Sequence, residues 1–305
     1  MKKSLELAIS KVFPNSKIAS INLFTKGHVN RTFNIKIKNP EKDLVFRIFP
    51  NDSWKAEKEQ FLYDLISKKT DVKVPQVYKV DTSKKIISHA YSIMSKIKGT
   101  TLDKAYKKAQ DKKLIERAGE TLAKIHSIKF GSFGWIVNKK VHPRFRTWHK
   151  FIHYDLEEKL KKLSKSMLIE KEHIFKCHKR LHDFQTLLKV RSKPCLLHKD
   201  YHFPHIIIDK GGINGIIDME WATAGHNELD IAKSEWWMFD RLPRLKPYFL
   251  KGYQRFGSVS KEYKKRKEMY EIILLISSIA FSYEMKNKRW LAYNVKKIKT
   301  ILERC

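Results

Sequence analysis

The chain opens on a two-residue alternation. Between Ile18 and Phe49 the segments INLFT, RTFNIKIK and DLVFRIFP carry apolar side chains at alternate positions, the pattern of strands that bury one face. Gly27 falls in the first turn between them and Asn39-Pro40 in the next, so an antiparallel, hairpin-rich sheet is expected. The period then lengthens. SWKAEKEQFLYDLISKK reads as a helix with Ser53 as its cap, and VPQVYKVD and AYSIMSKIKG read as two more strands. After Gly99 the character changes: DKKLIERAGETLAKIHSI is amphipathic at helical spacing through Leu114, Ala118, Leu122, Ile125 and Ile128. Most of the following chain reads as helix, apart from residues 195 to 218. A division near residues 95–99 is expected.

The exception, LLHKDYHFPHIIIDKGGINGIID, holds the candidate chemistry. The turn DKGG folds two apolar strands together, pairing Ile208 with about Ile213 and residues near 205 with those from 216 to 218. Asp218 then lies beside His205, with Asp200 in the loop just upstream. Two carboxylates and an imidazole at one end of a small sheet could hold a divalent ion against a phosphate, leaving a separate carboxylate to face an attacking hydroxyl. His198, His202 and His205 also raise the possibility of a metal nest. An apolar strand follows them directly and no cysteine is near, so a closed structural zinc site is disfavoured. His126, His149, His153, His173, His178 and His182 fall in helical stretches and read as surface or packing residues.

Composition narrows the setting. With 305 residues and 42% hydrophobic content the chain can bury a large core. Its longest apolar run, Ile272 to Tyr283, is interrupted by three serines and is shorter than the roughly 20 residues that cross a bilayer. Glu6 breaks what would be the apolar part of a signal peptide. Cys177, Cys195 and Cys305 are scattered and lack CxxC spacing, which excludes a disulfide framework and points to a reducing cytoplasm. The net charge of +32 points toward phosphate-bearing partners, nucleic acid and anionic membrane surfaces included. The lysines are spread in runs such as KKAQDKK, EEKLKKLSK and KEYKKRKE, as on solvated helix faces, and no nucleic-acid reader motif accompanies them. Background surface charge is therefore preferred to a nucleic-acid site, and no membrane partner is expected.

HKDYHFPH, IIDMEWA and GHNELDIA, in that order, resemble the H-G-D-x-x-x-x-N, I-D-W-E and G-D-P-x-x-D-L-A motifs of the aminoglycoside phosphotransferase and choline kinase group. VFRIFP resembles that family's nucleotide-binding strand, IMSKIKG its hinge, LAKIHSIKFGSFGW its next long helix and FLKGYQRFG a late helical segment. The resemblance implies an α+β, bilobal, protein-kinase-like fold. Residues 1–95 would form a small antiparallel-sheet N-lobe with one main helix, and residues 96–305 a larger, mostly helical C-lobe. It implies ATP-dependent transfer of the γ-phosphate to a hydroxyl of a small molecule (an amino sugar, an antibiotic, a choline-like or other metabolite) with Mg2+, or alternatively Mn2+, as the metal.

Residue by residue, the resemblance makes Asp200 the catalytic aspartate and Asp218 the metal-binding one. Arg47 takes the place of the basic residue that holds the α- and β-phosphates, where a guanidinium suits phosphate oxygens. Its partner on the following helix is Glu59, which has Leu62, Tyr63 and Ile66 at +3, +4 and +7 and so lies on the packed face, in preference to Glu57. Gly27 and Asn30 belong to the loop over the phosphates, the backbone of Ser95 and Ile97 meets the adenine edge, and His198 and Asp230 brace the catalytic loop. His205 departs from the family, which has asparagine there, and imidazole suits manganese better than magnesium. Three outcomes are open: His205 binds metal and shifts the preference to manganese, it hydrogen-bonds a phosphate or Asp200, or it marks lost catalysis. A working enzyme is preferred because Asp200, Asp218 and Arg47 are all present; the alternatives are a nucleotide-binding pseudokinase and an RNA-associated module. For the acceptor, Glu220, Glu228, Glu235 and Asp240 beside Trp221, Trp236 and Trp237 suit a cation, whereas the positive surface suits an anion.

Overall fold

A computed structural model describes residues 2–24, 30–166 and 169–303. Helix α1 (Lys2–Ser10) leads into strands β1 (Lys17–Leu23), β2 (Arg31–Lys38) and β3 (Lys42–Phe49). Helix α2 (Trp54–Lys69) follows, and β4 (Val77–Asp81) and β5 (Ala90–Ser95) complete a five-stranded antiparallel sheet ordered β1-β2-β3-β5-β4. The alternation on β3 sorts its side chains between two cores. Leu44, Phe46 and Ile48 pack with Leu5 and Ile9 of α1, whereas Phe49 packs with Ala56 of α2. Arg47 shares the α2 side.

Ser53 precedes α2 but does not cap it. Its backbone is already helical (φ −55, ψ −34) and its hydroxyl makes no capping bond. A cap needs an extended backbone to aim its oxygen at the first free amides; here the Lys55 N–H instead donates to the Asp52 carbonyl at 3.0 Å.

The remainder is mainly helical: β6 (Thr100–Thr101), α3 (Leu102–Ala109), α4 (Lys112–His126), β7 (Gly134–Val137), β8 (Lys140–Val141), α5 (Trp148–Ser166), α6 (Lys171–Asp183), β9 (Cys195–Leu197), β10 (Ile206–Asp209), β11 (Gly212–Ile216), β12 (Thr223–Gly225), α7 (Asn227–Ser234), α8 (Lys246–Tyr253), α9 (Tyr263–Glu284) and α10 (Lys288–Glu303). Asp111 caps α4 by accepting the Lys113 N–H at 2.8 Å. Helices α4 and α8 meet through Gly119 and Gly252, where an added Cβ would collide with a backbone carbonyl of the facing helix. One apolar cluster runs from Leu62 and Ile66 of α2 through α4, α5 and α9 to Ile298 of α10. Among the described residues no helix is long and apolar enough to cross a membrane.

Short strands interrupt the expected helical stretch. β7, β8, β9 and β12 form a small sheet, and β6 joins the β10–β11 hairpin. Strands of two to four residues carry too few positions to show a period, which is why the hydrophobic pattern does not reveal them. The hairpin itself has Ile208 opposite Ile213 and Ile206 opposite Ile216. Its two-residue turn, Lys210–Gly211, has positive φ at both positions (47 and 73), the geometry that matches strand twist in a tight hairpin. The hairpin is tied to the sheet-bearing region: the Ile216 N–H donates to the Lys73 carbonyl at 3.0 Å and the Asp218 N–H to Tyr63 Oη at 3.0 Å.

Candidate active site

A buried carboxylate shapes the loop between β9 and β10. Asp230 of α7 is 1% exposed and accepts the His198 N–H at 2.6 Å and the Lys199 N–H at 2.8 Å. His126 Nε2 lies 3.2 Å from the same carboxylate, and His126 Nδ1 lies 2.8 Å from Tyr253 Oη. Burial pushes the Asp230 carboxyl up, but the hydrogen bond and charge of His126 hold it below its ordinary value. Because the Asp200 N–H donates to His198 Nδ1 (3.2 Å), His198 carries its proton on Nε2 and gives it to the Ile217 carbonyl at 3.1 Å. Burial, with His205 next, lowers its pKa to about 4, so His198 is a neutral brace between the loop and the hairpin.

This bracing fixes the Asp200 carboxylate among three basic side chains. Lys233 Nζ lies 3.4 Å from Oδ1, and His205 Nδ1 (3.4 Å) and His202 Nε2 (3.7 Å) approach Oδ2. Burial raises the Asp200 pKa, but Lys233 first, then His202 and His205, overcome it and hold the group well below the usual carboxylate range. Asp200 is thus an ionised hydrogen-bond acceptor rather than a strong base. His205 Nδ1 also meets the Asp200 backbone carbonyl at 2.9 Å, which requires a proton on Nδ1; in the neutral imidazole the Nε2 lone pair then faces Asp218 Oδ2 at 3.5 Å. Two electron-rich atoms facing each other at that distance suit a shared cation. The donor set of Asp218 and His205 therefore fits a divalent ion, with a nitrogen ligand that favours manganese over magnesium.

Across from this pair, Arg47 Nη1 is 2.7 Å from Glu59 Oε1 and 3.2 Å from Asp218 Oδ1. Tyr63 Oη donates to the same Glu59 oxygen at 3.1 Å. Burial alone would lower the Arg47 pKa; Glu59 first and Asp218 second reverse this and keep the guanidinium charged. Strand β3, helix α2 and the hairpin mouth therefore converge on one guanidinium, with Asp200 connected to it through His205 and Asp218.

A sequence profile described as the phosphotransferase enzyme family matches residues 20–268. The chain belongs to that family. Its fold is shared by the aminoglycoside phosphotransferase APH(4)-Ia, at 15% identity with 99% of each chain covered and a TM-score of 0.78. A ternary complex of a thermostable mutant of that protein with AMP-PNP and hygromycin B matches at 14% identity, 98% coverage of each chain and a TM-score of 0.77. The gentamicin complex of APH(2")-IIa matches at 20% identity, covering 98% of this chain and 96% of the other, with a TM-score of 0.68. No curated protein sequence matches the chain. The antiparallel N-terminal sheet and helical C-terminal region are those of the phosphotransferase family.

Within this family fold, Asp200, His205, Asp218, Arg47 and Glu59 come together. Asn30 Nδ2 donates to Glu220 Oε2 at 2.9 Å, linking the turn after β1 to the segment that follows the hairpin. Gly27 lies outside the described residues. Ser95 spends its N–H on the Gln76 carbonyl at 2.8 Å, whereas Ile97 makes no such backbone bond among the described residues, so of the two it is Ile97 whose N–H stays open.

Other expectations need correction. The acids of the helical region are not free to receive a cation. Glu228 pairs with Arg266 at 3.0 Å, Glu235 with Lys246 at 2.8 Å and Lys267 at 3.0 Å, and Asp240 with Lys297. Glu220 faces α2, with Lys55 Nζ 3.9 Å away. Trp236 is core, 6% exposed. Of the two roles expected for His126, surface or packing, the buried one holds: it braces Asp230 and through it the loop between β9 and β10.

Sequence reasoning also missed four lysines. Lys233 is three residues after Asp230, and that helical spacing could have placed it beside the loop. Lys55 and Lys58 of α2 are buried. Lys58 Nζ donates to the Glu220 carbonyl at 2.7 Å, and burial, with Lys55 next, lowers its pKa to about 7. No apolar-face pattern predicts a buried lysine. The fourth, Lys199, sits immediately before Asp200.

Proposed function

We propose that the chain is an ATP-dependent phosphotransferase that moves the γ-phosphate to a hydroxyl of a small molecule, with residues 1–95 as nucleotide lobe and 96–305 as acceptor lobe. The observation that carries this reading is the chain of contacts Glu59–Arg47–Asp218–His205–Asp200, which sets a phosphate-binding cation, a metal-holding pair and an ionised acceptor side by side. Arg47 holds the ATP phosphates, kept straight by Glu59. Asp200 accepts a hydrogen bond from the acceptor hydroxyl and aims its oxygen at the γ-phosphorus. As the new O–P bond forms, the bond from phosphorus to the bridging oxygen of ADP breaks, and the hydroxyl proton leaves along the Asp200 hydrogen bond. With its pKa held low, Asp200 contributes mainly orientation and takes the proton late.

Asp218 and His205 would hold a divalent ion, which supplies charge neutralisation of the phosphates. Ile97 offers its backbone to the adenine, and Asn30 steadies the segment entering from the phosphate loop. An intact set of charged groups favours an enzyme over a nucleotide-binding pseudokinase. The test is thermal-shift screening of hydroxyl-bearing compounds against the chain with magnesium and AMP-PNP: AMP-PNP alone raises the melting temperature, and a true acceptor raises it further. No shift with AMP-PNP would contradict the proposal.

A further inference from the structure

The loop between β9 and β10 ends in a single 3₁₀ turn, Phe203–His205, closed by the His205 N–H donating to the His202 carbonyl at 2.9 Å. In that geometry side chains three residues apart eclipse one another. The imidazoles of His202 and His205 therefore stand on one side, with ring centroids 4.2 Å apart, and Trp237 packs against His202 at 4.9 Å. Both rings approach one oxygen: Asp200 Oδ2 lies 3.4 Å from His205 Nδ1 and 3.7 Å from His202 Nε2. One ligand atom from each of these three side chains lies within 4.8 Å of the other two.

The separations discriminate between two readings of the cluster. A charge-assisted hydrogen bond from nitrogen to carboxylate spans about 2.7–2.9 Å. Two ligands that each sit about 2.0–2.1 Å from a tetrahedral ion are about 3.3–3.4 Å apart. His205 matches the second spacing and His202 lies a few tenths of an ångström beyond it, within reach of a small ring rotation. Lys233 takes the other carboxylate oxygen, Oδ1, at 3.4 Å and leaves Oδ2 to the imidazoles. His198 is not available as a ligand, since its Nδ1 accepts the Asp200 N–H and its Nε2 donates to the Ile217 carbonyl. Two imidazole nitrogens and one carboxylate oxygen, with a fourth position left to water, form the donor set of an exchangeable zinc site rather than a closed structural one.

His205 also limits what the site can hold, because a neutral imidazole has one lone pair. With the proton on Nδ1, toward the Asp200 carbonyl, the lone pair on Nε2 faces Asp218. With the proton moved to Nε2, the lone pair on Nδ1 faces Asp200 Oδ2 and the bond to the carbonyl is given up. One tautomer serves the Asp218–His205 pair and the other serves Asp200 and His202.

We propose that Asp200, His202 and His205 form a second cation site, for Zn2+, which excludes the divalent ion of Asp218 and His205 and inhibits the chain by withdrawing the carboxylate that faces the acceptor hydroxyl. The inhibitory sense rests on the kinase reading above; the binding does not.

Two substitutions separate the sites. His202→Phe keeps a ring against Trp237 and removes the nitrogen ligand, with His202→Ala carried beside it, and Asp218→Asn alters the other pair. Melting curves confirm that each variant folds. The nucleotide-free chain is titrated with Zn2+ against a chromogenic chelator. The native chain should bind one equivalent, both His202 variants should bind it at least about tenfold more weakly, and Asp218→Asn should stay within about threefold of native. A second titration follows Mn2+ on the AMP-PNP-loaded chain by the resonance of the free ion. One equivalent of Zn2+ should weaken Mn2+ binding to the native chain at least about tenfold and leave it unchanged in His202→Phe. No zinc binding, zinc affinity retained in the His202 variants, an equal loss in Asp218→Asn, or Zn2+ and Mn2+ held together by the native chain would overturn the proposal and leave the kinase reading intact. Failure of the native chain to bind AMP-PNP would end the kinase reading and the inhibitory sense with it, while the nucleotide-free zinc titrations would still decide the site.

Discussion

Asp230→Asn isolates the bracing of the loop between β9 and β10, because it keeps the volume of the side chain and removes only charge and one acceptor. The native carboxylate receives the His198 N–H, the Lys199 N–H and His126 Nε2 at 2.6, 2.8 and 3.2 Å while 1% exposed. An amide has a single acceptor oxygen. If that oxygen stays toward His198 and His126, the Lys199 N–H faces an NH2 group and is orphaned. Hydrogen bonds to a charged acceptor are worth about 2 kcal/mol and to a neutral one about 1 kcal/mol. Losing one and weakening two gives about 4 kcal/mol, and relief of the buried charge returns about 1 kcal/mol, leaving about 3 kcal/mol. At roughly 2 °C per kcal/mol for a chain of this size, the melting temperature should fall by about 6 °C. Turnover should fall as well, because the amide that follows, Asp200 N–H, is set by the same loop. Differential scanning fluorimetry at neutral pH reads the first effect. A fall of less than about 2 °C would refute the argument that this carboxylate holds the loop.

If Arg47 holds the ATP phosphates as proposed, Arg47→Ala should weaken AMP-PNP binding at least tenfold, and it leaves Glu59 buried without its ion-pair partner; unchanged affinity in titration calorimetry would move Arg47 off the nucleotide. His205→Asn should raise magnesium-supported turnover relative to manganese-supported turnover; the same metal ratio in both proteins would take His205 out of the metal shell. His198 is held neutral in the folded chain with a pKa of about 4 against an ordinary 6.5. Between those values the unfolded chain binds a proton that the folded one does not, so stability is full above about pH 6.5 and is lost as pH falls toward 4, by up to about 3 kcal/mol. Melting curves across that window check it, and a flat profile would contradict it.

How much the sequence disclosed follows from how local each signal is. The sheet of residues 17–49 and the Lys210–Gly211 hairpin were readable because alternation and turn chemistry are carried by neighbouring residues. The Arg47–Glu59 pair was within reach because the strand face and the helix face are each set by a short period. Strands such as Thr223–Gly225 were invisible, since pairing across 26 residues to Leu197 leaves no local trace. The fates of Glu228, Glu235 and Asp240 were misjudged for the same reason: their partners Arg266, Lys246, Lys267 and Lys297 lie elsewhere in the chain, and composition alone left them looking like free acids. Lys199 shows the limit most sharply. One more lysine among many is unremarkable in sequence, and only its left-handed backbone distinguishes it.

The most direct test of the account is transfer of label from γ-labelled ATP to a hydroxyl compound by the native chain and by Asp200→Asn. The variant keeps the shape of the loop and should bind AMP-PNP nearly as well as the native chain. The account predicts transfer by the native protein and a loss of at least about 100-fold in turnover in the variant, because orientation of the hydroxyl and its proton path are lost together. Equal transfer by both proteins would contradict the role of Asp200, and nucleotide binding without transfer to any hydroxyl compound would show that the chain is a binding module rather than an enzyme.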